Sequence, residues 1–462
     1  MSKVVCGLAD IKKNSDYIVE ITGMNHEGQG VGRIDNFAVF VEGATTGELV
    51  EIKLIKVAKN YGVGKLLKIL RPSPSRTSPF CSAYKRCGGC SLQHIDYKAQ
   101  LEYKTDLVRE TVRRIGKLED VLVHDTIGME RALNYRNKAQ YPVASVKGEV
   151  VIGFYAKRSH DVIPSDECGI QDKTSNRVRE IVRDFIIKNG ISVYDETKGE
   201  GLVRHLMTRK GFRTGEVMVV IVINGKGLPE KQKLVEALTS NIKEVKSIML
   251  NINTKNTNVI LGEKNIKIYG SDTITDYIGK FKFDISPLSF FQVNPVQTEV
   301  LYNKALEYAG LTGKETVFDL YCGIGTISLF LSEKAKKVYG VEVVEAAVLD
   351  ARKNARLNGV TNVEFMVGEA EKVVPDIYSR GVTADVVVVD PPRKGCDASL
   401  LETLVNMRPE RIVYVSCNPS TLARDLGYLA EKGYRAVEVQ PVDMFPHTAH
   451  VESCVLITRD EK

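Results

Sequence analysis

No aspartate or glutamate occurs between Ile52 and Ile95, although Lys53, Lys56, Lys59, Lys65, Lys68, Arg71, Arg76, Lys85 and Arg86 all fall there. A tract of one sign attracts polyanions and makes their binding salt-sensitive, so a nucleic acid is the expected partner. Long apolar runs are missing as well. Val217–Ile223 and Val386–Val389 have the length of buried strands and are too short to span a bilayer, so no membrane partner is expected. Met1–Lys13 has neither an apolar stretch nor a small-residue cleavage pattern, which predicts no signal peptide and a cytoplasmic protein. An even cysteine count is also lacking. Nine cysteines without an export signal argue against a disulfide framework and for metal or catalytic roles. The remaining composition is that of an ordinary soluble protein, with 43% hydrophobic and 26% charged residues and a net charge of +6. A chain of 462 residues is enough for about two to four domains.

Arg411-Ile-Val-Tyr-Val-Ser416 is strand-like, and Asn418-Pro419 halts it, which places Cys417 where a strand opens into a loop. Ligands bind at that edge of α/β sheets, so this thiol is a candidate nucleophile; in mid-strand it would only fill the core. Upstream, Thr316-Val-Phe-Asp319-Leu-Tyr321-Cys322-Gly323-Ile-Gly325-Thr326 runs from a strand into a glycine-rich turn, and a helix is expected over Ile327–Ala335. The following strand ends at Glu342. Glycines let a ligand approach the backbone, and an acid after the second strand accepts both ribose hydroxyls. The third glycine of the dinucleotide fingerprint is absent, with Ser328 in its place, which departs from binding of a pyrophosphate. Val386–Val389 then delivers Asp390-Pro391-Pro392-Arg393, whose prolines fix a loop at the same edge. An aromatic residue in place of Arg393 would suggest methylation of an adenine amino group; the arginine argues against it.

Cys81-x5-Cys87-Gly-Gly-Cys90 and the distant Cys168 form a three-plus-one set of thiols. Zinc usually takes two C-x-x-C knuckles, whereas an asymmetric set suits an iron–sulfur cluster better. Around it, helices over Asp96–Lys117 and Thr174–Lys188 with strands near 138–146, 150–155, 202–209 and 216–223 predict an α+β domain. Asn134-Tyr-Arg136-Asn137-Lys138 receives no chemical role. Before the cysteines, short strands at Asp16–Thr22, Ala38–Val41, Leu49–Val57 and Val63–Ile69 predict a small β-barrel, followed by a stiff linker over Arg71–Pro79.

Gly23-Met-Asn-His-Glu-Gly28-Gln-Gly30-Val-Gly32, Val41-Glu-Gly-Ala44 and Gly47-Glu48 resemble the TRAM domain, a small RNA-binding barrel. The cysteine set, with Ser91-Leu-Gln-His94, resembles the 4Fe–4S site of bacterial RNA uracil-5 methyltransferases. Gln292, Tyr321, Gly323, Glu342, Asp390, Ser416-Cys417-Asn418-Pro419 and His450-Val-Glu452 resemble the same family in order and spacing. The resemblance is closest to the branch that acts on 23S ribosomal RNA. It implies a TRAM-like barrel over residues 1–71, a central α+β domain with iron–sulfur cysteines over 72–285, and a Rossmann-like class I methyltransferase domain over 286–462. It further implies S-adenosylmethionine as cofactor, with contacts from Gln292, Tyr321, Gly323, Glu342 and Asp390, and a 4Fe–4S cluster on Cys81, Cys87, Cys90 and Cys168. The nucleophile falls on Cys417 and the base on Glu452, with Phe290 as a stacking partner for uracil and His447 and His450 in structural or orienting roles. A monomer is expected. A tRNA substrate is the alternative within the class, and a non-catalytic iron–sulfur RNA-binding or redox-sensing protein the alternative outside it.

The residue types suit that chemistry. Uracil C5 is a weak nucleophile until a thiolate adds at C6, so the Cys417 loop must lower the thiol pKa or offer a base. After methyl transfer the C5 proton must leave, which requires a carboxylate within reach.

Overall fold

The computed structural model describes residues 11–165 and 167–460. Most of Met1–Lys13, where no signal segment is expected, lies outside the described residues; among those described, no helix is long and apolar enough to cross a membrane.

Five strands, β1 (Asp16–Met24), β2 (Gly30–Ile34), β3 (Phe37–Val41), β4 (Leu49–Val57) and β5 (Tyr61–Arg71), close into a barrel in the order β1-β2-β3-β5-β4. The sequence predicts four of them. The fifth, β2, hides in the glycine-rich segment because its glycines are strand residues where backbones crowd. A Cβ on Gly32 would stand 2.3 Å from Val19 Cγ1 and 2.5 Å from the Glu20 carbonyl oxygen. The barrel interior is filled by Val19, Ile21, Val39, Val41, Val50, Ile52 and Leu54. The basic tract is partly neutralised in three dimensions. Lys53 pairs with Asp16 at 2.9 Å, Arg71 with Glu20 at 2.7 Å, and Arg76 grips the fully buried Glu48 of the Gly-Glu turn. Burial alone would raise the Glu48 carboxyl, but Arg76 and the Thr45 and Ser73 amides hold it below the usual range.

Helix α1 (Tyr97–Arg114) starts at Asp96, whose side chain accepts the Ala99 N–H at 3.0 Å. There follow β6 (Leu122–Val123), β7 (Lys138–Val146), β8 (Glu149–Tyr155), β9 (Val162–Pro164), α2 (Lys173–Lys188), β10 (Val203–Lys210) and β11 (Val217–Ile223). Next come α3 (Lys231–Asn241), β12 (Val245–Ile252), β13 (Lys264–Gly270) and the ribbon of β14 (Ile274–Ile278) and β15 (Phe281–Ile285). A mixed sheet in the order β13-β12-β11-β10-β7-β8-β9 packs against α2 and α3, the α+β domain expected.

The C-terminal part alternates α4 (Pro295–Ala309), β16 (Thr316–Leu320), α5 (Thr326–Ser332), β17 (Lys337–Glu342), α6 (Glu345–Leu357) and β18 (Val363–Val367). It continues with α7 (Ala370–Ser379), β19 (Val386–Val389), α8 (Ala398–Met407), β20 (Arg411–Ser416), α9 (Pro419–Glu431), β21 (Tyr434–Val442) and β22 (Glu452–Arg459). Strands order as β18-β17-β16-β19-β20-β22-β21-β6, parallel from β18 to β20 with β22 antiparallel. The four valines of β19 are buried on both faces, as a central parallel strand requires. Strand order reverses between β16 and β19, so their carboxyl ends open a crevice. This is the Rossmann-like class I arrangement expected. The edge strand β6 comes from far upstream, and Val108 and Val112 of α1 share a core with Leu422 and Leu426 of α9.

Candidate active site

A cavity of about 1620 Å³ is lined by residues at the carboxyl ends of β17, β19 and β20 and by residues of the central sheet. Gln292, Tyr321, Gly323, Glu342, Asp390, Cys417 and Glu452 all line it, as do Cys81, Cys87, Cys90 and Cys168. The expected nucleophile, base, cofactor contacts and cysteine set therefore all face one space, whereas His447 lies outside it.

At its cofactor-like end the chain leaves β16 through Tyr321, Gly323 and Gly325, with φ of 66°, 54° and 81°. The two glycines serve different ends. A Cβ on Gly325 would stand 2.7 Å from Phe365 Cζ, so that glycine seats the turn on the core; a Cβ on Gly323 meets nothing within 4 Å. The Gly323 N–H donates to the Glu342 carboxylate at 3.1 Å, and the other carboxylate oxygen accepts the Val344 N–H at 2.9 Å, which fixes the acid at the tip of β17. Tyr321, a non-glycine residue at positive φ, is strained in the manner of functional turns. Ser328 also has a use that sequence reading missed. Its hydroxyl donates to Asp319, a fully buried carboxyl that burial pushes up to about 7 and whose second oxygen has no hydrogen-bond partner.

At the other end Cys417 sits between β20 and the first turn of α9. Asn418 caps that helix by accepting the Ser420 N–H at 3.1 Å, and its amide donates to the Arg393 carbonyl at 2.9 Å. The Thr421 hydroxyl donates to the same carbonyl at 3.2 Å, so the Cys417 and Asp390–Arg393 loops are stitched together. Burial pushes the Cys417 thiol up to about 11, with the Glu452 and Asp390 charges adding and Arg393 opposing. A loop that lowers the thiol pKa is therefore not what forms; the thiol lies within the electrostatic reach of two carboxyl groups instead. Glu452, 4% exposed at the start of β22, is raised well above the usual carboxylate range by burial and then by Asp390, against the pull of Arg393. Burial alone pushes Asp390 up to about 7.

The surrounding supports were largely invisible in the sequence. A buried ion pair joins Lys104 of α1 to Asp443, which also accepts the Tyr97 hydroxyl at 2.8 Å, and this anchors the loop leading to Glu452. His447 is part of that anchor. Its ring Nε2 lies 3.1 Å from the Ala132 carbonyl, and its own carbonyl accepts the Ser91 and Leu92 N–H groups at 3.0 Å. His450 is exposed at the cavity. The Asn134–Lys138 segment gains a structural role. The Asn137 side chain donates to the Gln292 carbonyl at 2.9 Å, and the Asn134 and Arg136 amides donate to the Gly169 and Ile170 carbonyls at 2.8 and 3.0 Å. It thereby links the loop of Cys168 to that of Gln292. Phe290, 66% exposed, stands on the cavity lip.

The thiols of Cys81, Cys87, Cys90 and Cys168 are free and partly buried. Burial pushes Cys90 up to about 12, and the charges of Cys168, Cys87 and Cys81 add to the shift, which marks the four as neighbours. Four soft donors on one wall match an iron–sulfur cluster in chemistry. They are not drawn into a closed set, because among the described residues no group of three or more His, Cys, Asp or Glu is arranged to hold a metal ion.

Residues 96–460 match the tRNA (Uracil-5-)-methyltransferase family, and residues 12–67 match the TRAM domain. The chain belongs to that uracil-5 methyltransferase family. Relatives named as uncharacterized RNA methyltransferases extend along its whole length. One from Clostridium tetani is 55% identical over 97% of each chain, and one from Clostridium acetobutylicum is 53% identical over 100% of each. Among solved structures, the tRNA (uracil-54, C5)-methyltransferase of Pyrococcus abyssi in complex with S-adenosyl-L-homocysteine superimposes with a TM-score of 0.76. It shares 30% identity and covers 96% of this chain and 100% of its own. Similarity to these relatives thus extends over the TRAM barrel, the central sheet and the methyltransferase sheet together.

Proposed function

We propose that the protein transfers a methyl group from S-adenosylmethionine to C5 of a uracil in RNA through a transient Cys417–C6 bond, with 23S ribosomal RNA as substrate. The observation that carries this is the single cavity in which the Gly323–Glu342 turn meets Cys417 and Glu452. The Pyrococcus relative, solved with the demethylated product of that cofactor, supports the choice of methyl donor. S-adenosylmethionine, when bound, supplies an electrophilic methyl group on sulfur. Glu342 holds the ribose, Tyr321 lies against the adenosine, Gly323 leaves room for close approach, and Gln292 and Asp390 complete the contacts.

Cys417 starts as a thiol and gives its proton to Asp390, the other carboxylate whose charge acts on it, before sulfur adds at C6, so that Glu452 stays unprotonated for the later step. The enolate that results makes C5 nucleophilic, and C5 takes the methyl group. Glu452 then removes the C5 proton, and β-elimination breaks the S–C6 bond. Desolvation suits Glu452 to this role, since a buried carboxylate holds a proton more tightly than a solvated one. Phe290 stacks on the incoming base, which must leave its own helix or loop to reach the thiol.

Residues 1–71 serve as the RNA-binding barrel, 72–285 as the central domain and 286–462 as the methyltransferase domain. Cys81, Cys87, Cys90 and Cys168 would hold a 4Fe–4S cluster; the methyl transfer balances without electrons, so the cluster would serve to order the cavity wall. Protein purified without oxygen is expected to carry about four iron and four acid-labile sulfide per chain. Apoprotein that methylates normally and takes up no iron would remove the cluster from the scheme.

The TRAM barrel and the cysteine set support the 23S substrate. A second reading, tRNA, is favoured by the Pyrococcus enzyme, whose name specifies tRNA and which spans nearly the whole of this chain. Methyl transfer from labelled cofactor to separate unmodified 23S rRNA and tRNA decides between them. Cys417→Ala is expected to abolish 5-methyluridine formation. Glu452→Gln is expected to slow turnover by about 10²–10⁴-fold and to accumulate a denaturation-resistant protein–RNA adduct. Label that persists in Cys417→Ala would refute the covalent route.

A further inference from the structure

Strands β7 and β10 pair antiparallel with Lys138 directly opposite Arg209. Side chains opposed in register share one face of a sheet, and like charges there repel. The neighbouring lysine shows a charge with its partner in place. Lys210, pointing to the opposite face, pairs with Asp172 at 3.1 Å. Among the described residues no carboxylate pairs with Lys138, Arg136 or Arg209. Arg209, 5% exposed, donates to the Pro287 and Ser289 carbonyls at 3.2 and 2.5 Å, while its Nε has no partner. Lys138 and Arg136 line the cavity itself. Burial, then the Arg209 and Arg136 charges, hold the Lys138 ammonium down at about 8. Three cations gathered at low exposure without an acid lack their counter-charge.

Their place in the fold identifies that charge. Asn137, between Arg136 and Lys138, holds the Gln292 carbonyl, and Arg209 holds the carbonyls on either side of Leu288. The cations therefore stand at the base of the lip that carries the exposed Phe290, where a strand delivering a base must pass. We propose that Lys138 and Arg136, backed by Arg209, bind a phosphodiester of the RNA strand beside the target uridine. This rests on the reading of the cavity as an RNA uracil site. A second oxyanion, the carboxylate of the methyl donor, has the same chemistry, and the test separates the two.

Steady-state methylation of an RNA accepted by the wild type, at several salt concentrations, compares Lys138→Met, Lys138→Arg and Arg136→Gln. Lys138→Met is expected to raise the RNA KM about tenfold or more, as loss of a charge-assisted contact does. It should also lower the log–log salt slope by about 0.7, with the KM for S-adenosylmethionine unchanged. Its thermal midpoint without RNA should not fall, because a repulsion is removed; Lys138→Arg should restore KM and slope. Arg136→Gln should lower the slope by a similar amount, which keeps the test open if Lys138→Met folds poorly. Unchanged RNA KM and slope in both charge-removing variants would overturn the phosphate site. A raised S-adenosylmethionine KM with an unchanged RNA KM would overturn it too, by assigning the cations to the donor carboxylate. Wild type that methylates no RNA would instead overturn the functional reading beneath it.

Discussion

Asp390 shows how single residues at this site trade stability against chemistry. Burial raises its carboxyl from the ordinary 3.8 to about 7. Between those values the folded chain keeps a proton that the unfolded chain has released, so stability falls as pH rises from about 4 to 7 and stays reduced above. Asp390→Asn removes that titration. Thermal melts are expected to show the variant level with wild type near pH 4 and more stable by roughly 1–3 kcal/mol at pH 8, while methyl transfer is lost. A variant less stable than wild type at pH 8 would mean that the Asp390 charge is stabilised in the fold. The same physics applies to Cys417 and Glu452, whose proton affinities burial raises in the same direction.

Among the elements, the β16–α5 turn separates the two uses of glycine. Gly325 has φ +81° and a would-be Cβ 2.7 Å from Phe365, so Gly325→Ala should cost about 1–3 kcal/mol through overpacking and backbone strain. Gly323, at φ +54° with open space beyond it, should cost less as Gly323→Ala. Its loss should appear as cofactor affinity, weakened at least about tenfold because a methyl group would occupy the ligand's approach. Calorimetric titration with S-adenosylhomocysteine beside thermal melts separates the two. Equal effects of the two variants on both measurements would refute the division of labour. The loop from Asp443 to His450 is likewise an element set by distant groups, since Lys104, Tyr97, Ser91 and Leu92 all hold it from the N-terminal side.

Over the whole molecule, the barrel is docked against the site. Gly28, at φ +77°, faces Leu92 and Ala449, from which a Cβ would be 2.8 and 3.4 Å away. The Tyr103 hydroxyl donates to the Asn25 carbonyl at 2.7 Å, and Lys157 pairs with Glu42 across the same junction. The barrel thus touches both the cysteine loop and the loop leading to Glu452. Gly28→Val is expected to lift it away, raising the RNA KM about tenfold with cofactor affinity retained. Unchanged RNA kinetics would show that this contact does not set the barrel's contribution.

Local rules were enough for much of this protein. Valine runs, proline stops and glycine turns marked β16, β19, β20 and the cofactor turn, because a parallel strand and a tight turn constrain residue type strongly at one place in the chain. The close spacing of Cys81, Cys87 and Cys90 and the acid at the end of the second strand, Glu342, were legible for the same reason, whereas Glu452 was singled out only through the family resemblance. The tertiary structure decided what depends on neighbours remote in sequence. It placed β2 within a run of glycines that only barrel closure explains, and moved β6 and α1 onto the C-terminal sheet. It gave Arg76 to Glu48 and Lys104 to Asp443, and left Lys138 opposite Arg209 without an acid. It also raised the Cys417 thiol, which removes one of the two expected alternatives, a lowered thiol pKa, and leaves the other, a base beside it. Burial and charge pairing are properties of the three-dimensional neighbourhood, and no window of sequence contains both partners.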